Sequence, residues 1–284
     1  MKEIHSYGKI NLFLDVVDLY KNGYHKINSV FMETKLFDVI SFEKNDLGKI
    51  RVFDKSNTLP EENLLKKAAD KLINLTGKTR FGVDFYIEKK IPIGGGMGGG
   101  SSNAASVLKI LNSLWELKYS NKNLQNIGKS LGADVPFFIN GGIQKVTGIG
   151  EILKPLKTPK IDLEILLVLP GISVSTPLAY KLIDSSNLCK KTYENNKKLK
   201  NLIEGLIKNN YKMIIENIYN KFETVVFKEY PMLEEIRDNI IKSGADKSFM
   251  SGSGSTMVGI YSDREKKDRA LKYLNNLNYK VIRI

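Results

Sequence analysis

The residues best suited to chemistry lie in a stretch from position 92 to 102 that carries six glycines and two serines. An alternating apolar pattern from Phe81 to Ile87 precedes it and predicts a half-buried strand. Apolar residues at helical spacing follow it, from Ala104 to Trp115. A helix that begins near Ser102 would direct its first-turn N–H groups, and the positive end of its dipole, back into the stretch. Because glycines let an anion approach backbone amides closely, the sequence predicts a phosphate-binding loop.

Two better-known glycine loops fit this stretch less well. Gly94, Gly96 and Gly99 match the pattern of dinucleotide-binding folds, but no buried strand ending in an acid follows about 20 residues later. The P-loop pattern runs from Gly94 to Ser101, but Gly100 stands where its lysine belongs. A flexible linker is disfavoured because the flanking strand and helix both carry apolar faces. A phosphate loop without its own lysine needs a cation from elsewhere in the chain.

Polar side chains near the amino terminus form a second group of candidates. Residues 7–17 alternate loosely, which predicts a strand with Lys9 and Asn11 on one face. The dipeptide Asn22-Gly23 predicts a tight turn that places Tyr24 and His25 just beyond it.

Asp134 is the carboxylate whose surroundings are most unusual. It lies within Leu131–Phe138 among apolar neighbours, with Pro136 fixing the chain two residues later. This context predicts a partly buried carboxylate at a turn. Taken alone, the octapeptide favours a capping or turn aspartate over a catalytic one.

The elements that must position these residues suggest two lobes, 1–157 and 158–284, because the composition shifts between Pro155 and Pro159. The second lobe is predicted to hold a buried strand at 163–169 and a helix that begins near Pro177. A loop or exposed helix is expected at 185–200, then helices at about 200–209, 211–219 and 231–243. A small-residue loop at 249–256, a strand at 257–261, a helix at 263–276 and a closing strand complete an α+β arrangement with helices on one face of a sheet.

Composition excludes several classes of protein. A single cysteine, Cys189, allows no internal disulfide, and two histidines leave no Cys/His cluster for a structural zinc. The formal charge of +13 fits an anionic small substrate. The lysines are scattered and the densest group lies at 190–200, so nucleic-acid binding is disfavoured. No stretch approaches membrane-spanning length, and a cytoplasmic enzyme is the simplest expectation.

Three motifs, Gly8-Lys-Ile-Asn-Leu12, the stretch 92–102 and Met250-Ser-Gly-Ser-Gly254, resemble in this order the GHMP kinase superfamily of small-molecule kinases. Segments 9–14, 22–25, 131–136 and 170–176 resemble the branch whose acceptor is 4-diphosphocytidyl-2-C-methyl-D-erythritol, in the non-mevalonate isoprenoid precursor pathway. The resemblance implies a two-lobed α+β fold. An amino-terminal ATP-binding lobe precedes a smaller ferredoxin-like lobe, which has helices on one face of an antiparallel sheet.

The resemblance also implies roles for particular residues. Asp134 would receive the proton of the substrate hydroxyl, and Lys9 would be the missing cation beside the transferring phosphoryl group. Mg²⁺ would accompany ATP, with its protein ligands unassigned and Ser101 and Ser102 as candidates. The ATP phosphates would lie on Pro92, Ile93, Gly94, Gly95, Gly96, Met97, Gly98, Gly99, Gly100, Ser101 and Ser102.

The acceptor implied by the resemblance is a cytidine diphosphate-linked polyol, phosphorylated at its 2-hydroxyl. Tyr24 would stack on the pyrimidine and His25 would hydrogen-bond its polar edge, while Asn11 and Thr176 would position phosphate or polyol oxygens.

Three alternatives stay open at the level of sequence. Homoserine or mevalonate kinase activity would share the fold and differ in the acceptor, and the Gly-Tyr-His turn favours a nucleotide-bearing one. A kinase fold that only binds nucleotide is disfavoured because both Lys9 and Asp134 are present. A basic RNA-binding module would show salt-sensitive RNA retention without ATP turnover.

Overall fold

The computed structural model describes residues 1–60, 62–77 and 81–284. The chain forms two compact units. The first unit consists of Met1–Lys9, Glu33–Ile93 and Gly98–Gly141, and the second of Ile10–Met32, Gly94–Met97 and Gly142–Ile284. Among the described residues, no helix is both long and apolar enough to cross a membrane.

The amino-terminal half begins with two long strands, and in its described residues shorter strands and four helices follow them. These elements are β1 (Lys2–Leu19), β2 (His25–Asn45), β3 (Ile50–Asp54), α1 (Leu64–Thr76), β4 (Gly82–Glu88), α2 (Gly99–Leu114), α3 (Asn121–Lys129), α4 (Val135–Asn140), β5 (Ile143–Gly148) and β6 (Ile152–Pro155).

Helices predominate in the carboxy-terminal half. Its elements are β7 (Glu164–Leu169), α5 (Thr176–Ser185), α6 (Tyr193–Lys208), α7 (Tyr211–Asn217), β8 (Tyr219–Asn220), α8 (Glu223–Glu229), α9 (Pro231–Lys242), β9 (Lys247–Met250), β10 (Met257–Tyr261), α10 (Arg264–Asn276) and β11 (Lys280–Arg283).

The first unit packs its helices beside a mixed sheet. There, β4 pairs antiparallel with β2 from Val39 opposite Glu88 to Asn45 opposite Gly82, and β3 pairs parallel with β4. Val83, Phe85 and Ile87 are fully buried, as the alternating pattern predicts. Helix α2 packs against α1, α3 and α4. Its buried side chains, from Ser102 to Leu111, anchor the end of the glycine stretch.

The second unit contains an antiparallel four-stranded sheet in the order β11-β7-β10-β9. Its strands are the fourth, first, third and second of that sheet along the chain, which is the ferredoxin-like order expected from the resemblance. Helices α9 and α10 pack against the sheet, and the shared core includes Leu166, Ile236 and Ala270. In the same unit β5 pairs antiparallel with β2 and β6, and β8 pairs parallel with β1. The predicted α+β class is confirmed.

Two predicted helix starts were wrong. Helix α2 begins at Gly99, not near Ser102, because Gly98 in a left-handed conformation starts the helix through its backbone (φ 69°). Helix α6 begins at Tyr193 rather than at about 200, because the Thr192 side chain accepts the N–H of Asn195. It extends into the segment 185–200, where an exposed helix was one of the two expectations. The lobe boundary at 157/158 stays a prediction, since the compact units interleave along the chain and do not test it.

Candidate functional site

The first unit brings together the two predicted catalytic residues. Lys9 lies on β1 and Asp134 immediately precedes α4, and the Lys9 Nζ lies 3.6 Å from the Asp134 Oδ2. The lysine side chain is 5% exposed and the aspartate side chain 31% exposed. The ammonium group is therefore shielded from water, while one side of the carboxylate stays open.

Asp134 occupies the N-cap position of α4, which tests the capping interpretation. Its backbone is already helical (φ −84°, ψ −17°), and its side chain makes no capping hydrogen bond. An N-cap aspartate would instead accept an N–H from the first turn. The carboxylate is directed to Lys9, so its geometry favours the chemical role over the capping role.

Burial sets the electrostatics of Lys9. Loss of water around the ammonium group lowers the pKa of Lys9, and the Asp134 carboxylate opposes that shift by attraction and hydrogen bonding. A buried cation stabilises additional negative charge strongly, because little water screens it.

The end of the glycine stretch lies directly beside this pair. A Cβ at Gly98 would lie 2.9 Å from the Phe138 ring and 3.4 Å from Cγ of Lys9. A side chain at this position is therefore excluded both by space and by the positive φ. No side chain caps α2, and this uncapped N-terminus begins beside the lysine stem.

The two serines of the stretch have different surroundings. The Oγ of Ser102 is buried and lies 2.7 Å from the Oγ of Ser6, which also accepts from Asn103. Ser101 is half-buried. Ser102 is thus held in an internal polar network, and Ser101 is the better candidate for a ligand contact.

In the second unit, Gly94–Met97 packs on a second small-residue loop, Ser251–Gly254. The Ser251 Oγ donates to the carbonyl of Gly96 at 3.1 Å, and a Cβ at Gly96 would lie 2.1 Å from the Ser251 carbonyl oxygen. The Asn220 amide holds that loop by donating to the carbonyls of Met250 and Gly252. The sequence singled out this loop but assigned it no role.

Asn11 and Thr176 both lie at the same loop. The Asn11 Nδ2 donates to the Oγ of Ser29 at 3.2 Å, and its Oδ1 would lie 3.6 Å from a Cβ at Gly252. The Oγ1 of Thr176 lies 2.8 Å from the Oγ of Ser253. Two of the predicted acceptor residues therefore lie near Gly94–Met97 within this unit.

The predicted tight turn forms between β1 and β2. The Gly23 N–H donates to Tyr20 O and the Tyr20 N–H to Tyr24 O, and Gly23 has a φ of 82°. Tyr24 is 59% exposed, as a stacking platform for a ligand would be. The turn thus presents the exposed ring of Tyr24 just before β2.

His25 is held by two residues that sequence reasoning missed. Its ring stacks on Tyr180 with centroids 4.4 Å apart, and its Nε2 lies 2.7 Å from Oδ1 of Asp184. Tyr180 and Asp184 are four residues apart and share one face of α5. That spacing was visible in the sequence, but nothing in it indicated that this face meets residue 25.

The residues at the start of α2 fit the phosphates of a nucleotide that brings its own Mg²⁺. Uncapped α2, with Gly98 and Lys9 beside it, suits phosphate oxygens. Only one group of three or more potential metal-ligating side chains occurs in the described residues, His25 with Asp184 and Cys189. No acidic cluster for Mg²⁺ accompanies the glycine stretch there.

Two family domains match the chain. Residues 63–142 match the GHMP kinases N terminal domain, and residues 202–280 match the GHMP kinases C terminal domain. They lie on either side of the predicted lobe boundary.

Individual relatives indicate which branch of the GHMP kinases the chain resembles most. A 4-diphosphocytidyl-2-C-methyl-D-erythritol kinase of Thermodesulfovibrio yellowstonii is 37% identical over 279 residues, covering 98% of this chain and 95% of the relative. A crystal structure of 4-(cytidine 5'-diphospho)-2C-methyl-D-erythritol kinase superposes with a TM-score of 0.82 at 29% identity, covering 99% of this chain and 98% of that one. The crystal structure of the Methanococcus jannaschii mevalonate kinase superposes with a TM-score of 0.74 at 15% identity, covering 99% of this chain and 97% of that one. At this identity the match shows the shared fold alone.

Proposed function

Since the chain belongs to the 4-diphosphocytidyl-2-C-methyl-D-erythritol kinases of the GHMP kinase superfamily, we propose that Lys9 and Asp134 carry its phosphoryl transfer. The enzyme phosphorylates that cytidine diphosphate-linked acceptor with ATP, in the pathway to isoprenoid precursors. Homoserine and mevalonate kinase activities are not favoured by the relatives.

The observation that carries the proposal is the Lys9–Asp134 pair beside the start of α2. Phosphoryl transfer needs charge neutralisation and positioning more than covalent help from the protein. Lys9 stabilises the negative charge on the transferring group, because its ammonium is buried and already in place. Asp134 accepts the hydroxyl proton of the acceptor, for which its exposed side leaves room.

Residues 92–102 bind the ATP phosphates through backbone amides. The proposed contacts are strongest at Gly98, Gly99 and Gly100, where no side chain caps the first N–H groups of α2. Gly94–Met97 takes its shape from Ser251 and contributes backbone rather than side chains. The missing P-loop lysine is replaced by Lys9, which comes from a different element.

Mg²⁺ is proposed to be held mainly by ATP oxygens and water, with the Ser101 hydroxyl as the protein ligand. Mg²⁺ keeps several waters and usually takes one or two protein oxygens plus phosphates. When bound, Mg²⁺ would neutralise negative charge on the terminal phosphates. Ser102 is not proposed as a ligand because its hydroxyl is committed to Ser6.

The acceptor is proposed to bind through residues of the second unit. Tyr24 stacks on the cytosine, and His25 hydrogen-bonds its polar edge with the ring nitrogen that does not face Asp184. Asn11 and Thr176 position diphosphate or polyol oxygens. The phosphate goes to the 2-hydroxyl of the acceptor.

The partner and the compartment follow from this reaction. We propose no nucleic-acid or membrane partner, and a cytoplasmic location, because both substrates are small phosphorylated metabolites. Retention of the purified protein on RNA at physiological salt would contradict the first part.

The decisive experiment compares acceptors. Purified protein with Mg·ATP is assayed for ADP release with 4-diphosphocytidyl-2-C-methyl-D-erythritol, homoserine, mevalonate or no acceptor. We expect turnover with the cytidyl acceptor alone. Equal turnover with the cytidyl acceptor and mevalonate would contradict the assignment of Tyr24 and His25.

A further inference from the structure

The fold gathers three side chains with metal-binding atoms that lie far apart in the sequence. One ligand atom from each of His25, Asp184 and Cys189 lies within 4.8 Å of those of the other two, and the Nε2 of His25 lies 2.7 Å from the Oδ1 of Asp184. The histidine side chain is 9% exposed, the aspartate side chain is 43% exposed, and the cysteine is half-buried. The group is therefore anchored in the second unit and reachable from solvent through Asp184.

The backbone that carries Cys189 is held in place by independent contacts. Helix α5 ends at Ser185, and Asn187 in a left-handed conformation (φ 53°) turns the chain back. The Leu188 N–H then donates to Ile183 O. Buried Lys221 fixes both neighbours of the cysteine, donating to Leu188 O at 3.2 Å and Lys190 O at 2.8 Å. Cys189 is thus presented to the histidine by a structured turn.

His25 is equally constrained on its own side. Stacking on Tyr180 fixes the ring plane, and the plane directs Nε2 to Asp184. A ring orientation fixed in this way leaves one nitrogen available at the group whatever the other nitrogen binds. The three donors therefore converge on one point without a large movement of backbone.

The donor set selects a class of cation. Imidazole nitrogen and thiolate sulfur suit zinc and similar divalent transition metals, whereas Mg²⁺ and Ca²⁺ require oxygen ligands. A thiolate and a carboxylate together neutralise a double positive charge. Ligand atoms around a tetrahedral zinc lie about 3.3 to 3.7 Å apart, given Zn–N, Zn–O and Zn–S bonds of about 2.0 to 2.3 Å. The present 2.7 Å between Nε2 and Oδ1 opens to that value by a small side-chain rotation.

We propose that His25, Asp184 and Cys189 form a binding site for one divalent cation of the zinc class. The three side chains supply three ligands, and water takes the fourth position. Composition alone predicts no structural zinc, which needs four Cys or His ligands. The proposed site differs from a structural zinc site because one of its three protein ligands is a carboxylate and its fourth position is left to water.

The site has a consequence for catalysis that rests on the proposed function. His25 is proposed to bind the cytosine edge, and a cation on its Nε2 fixes the ring and adds charge beside that edge. Zn²⁺ is then expected to raise the KM for the cytidyl acceptor, although the second ring nitrogen stays free, and to leave the KM for ATP unchanged. Mg²⁺ at the concentrations used for catalysis does not displace it, because the donors are too soft.

The test uses Co²⁺ as a spectroscopic substitute for zinc on the full-length protein without substrates. A thiolate bound to Co²⁺ gives an intense near-ultraviolet charge-transfer band. The chain has one cysteine, so the band reports Cys189 alone. We expect saturation at one cobalt per chain, loss of the band in Cys189→Ser, and displacement of the cobalt by Zn²⁺.

Matched variants separate a built site from a thiol that binds metal alone. His25→Gln and Asp184→Asn are expected to weaken Co²⁺ binding by about 10- to 100-fold, because losing a direct ligand costs at least as much as losing a residue that orients one. His5→Gln removes the other histidine and is expected to change nothing. Absence of the band in the wild type, one cobalt per two chains, or a band insensitive to His25→Gln and Asp184→Asn would overturn the proposal.

Inhibition kinetics test the link to the acceptor separately. Zn²⁺ is expected to raise the KM for the cytidyl acceptor and leave the KM for ATP unchanged, and Cys189→Ser is expected to keep full activity and lose the inhibition. Cobalt binding that changes with the variants as expected, without any effect of Zn²⁺ on the KM for the cytidyl acceptor, would keep the metal site and contradict the role of His25 in acceptor binding. Failure of the cobalt test with an intact acceptor preference would overturn the site and leave the proposed function standing.

Discussion

Two lysine–aspartate pairs of the first unit show how similar ion pairs serve different purposes. The Lys9 and Lys89 side chains are each 5% exposed, so both ammonium groups lie away from water. Asp38, the partner of Lys89, is fully buried and accepts the N–H groups of Lys90 and Ile91 and the amide of Asn103. Asp134, the partner of Lys9, is 31% exposed and lies 3.6 Å away.

The difference lies in what remains for a ligand. The Asp38 carboxylate is surrounded by donors of the protein, as a buried charge must be to offset its lost hydration. It holds Asn103, and so α2, to β2 and to the residues that follow β4. Asp134 keeps an open side, which an incoming hydroxyl can use. We call Lys89–Asp38 the closed pair, because protein donors surround its carboxylate, and Lys9–Asp134 the open pair. The closed pair holds secondary structure together, and the open pair leaves room for a ligand.

The largest expected effect is on turnover, in Asp134→Asn. The amide keeps an oxygen near Lys9 but accepts a proton poorly, so turnover is expected to fall by about 10² to 10⁴. The free energy of unfolding is expected to fall by only about 1 kcal/mol, because the Asp134 side chain is 31% exposed and the pair is therefore only partly removed from water. Steady-state ADP release and urea unfolding measure the two quantities. Turnover like that of the wild type would remove Asp134 from the chemistry.

The matched change in the closed pair is Asp38→Asn, which is expected mainly to lower the free energy of unfolding. It leaves the buried Lys89 ammonium without its counter-charge, which costs about 3 to 5 kcal/mol when one partner of a buried pair is lost. Urea unfolding measures the loss, with Asp134→Asn as the control in the same unit. Unchanged stability together with lost turnover would show that Asp38 takes part in the reaction, and the two pairs would then not differ in purpose.

Glu223 extends the comparison to a half-buried acid without a cation hydrogen-bonded to it in the described contacts. Burial raises the pKa of Glu223 to about 7, against the N–H of Met250 and the charges of Lys247 and Arg237, which lower it. Because the folded protein holds this proton more tightly than the unfolded chain does, its contribution to stability is present below about pH 4.5 and lost as pH rises through about 7. The loss is about 3 kcal/mol.

Glu223→Gln is expected to remove that dependence. Urea unfolding at pH 5 and pH 8 should show a smaller decrease for the variant than for the wild type, because glutamine does not titrate. Glu229→Gln changes an exposed acid of the same helix and should behave like the wild type. Equal decreases in Glu223→Gln and the wild type would show that burial at this site does not shift the titration.

Sequence patterns predicted what short-range chemistry determines. The strand before the glycine stretch, the turn at Gly23 and the carboxylate at Asp134 each depend on nearby residues, and each was predicted in place. Contacts set by tertiary packing were not predicted. Asp38 reads as one polar residue in a strand pattern, and nothing local indicates that Lys89 reaches it.

The same limit applies to the candidate site. The spacing of Tyr180 and Asp184 defined a helix face, but the partner of that face, His25, is more than 150 residues away in the chain. The exact start of α2 was also missed, since a glycine in the left-handed conformation leaves no side-chain signature of a cap. The roles assigned to the site residues stay predictions until tested.

The smallest expected effect distinguishes two adjacent serines at the start of α2. Ser102 belongs to the closed network through Ser6, so Ser102→Ala should lower the free energy of unfolding by about 1 kcal/mol. Its Mg²⁺ requirement should not change. Ser101 is half-buried, and Ser101→Ala should raise the Mg²⁺ concentration for half-maximal activity with little change in stability. The reverse result would place the metal on Ser102, and the hydroxyl network around Asp38 would then be part of the active site.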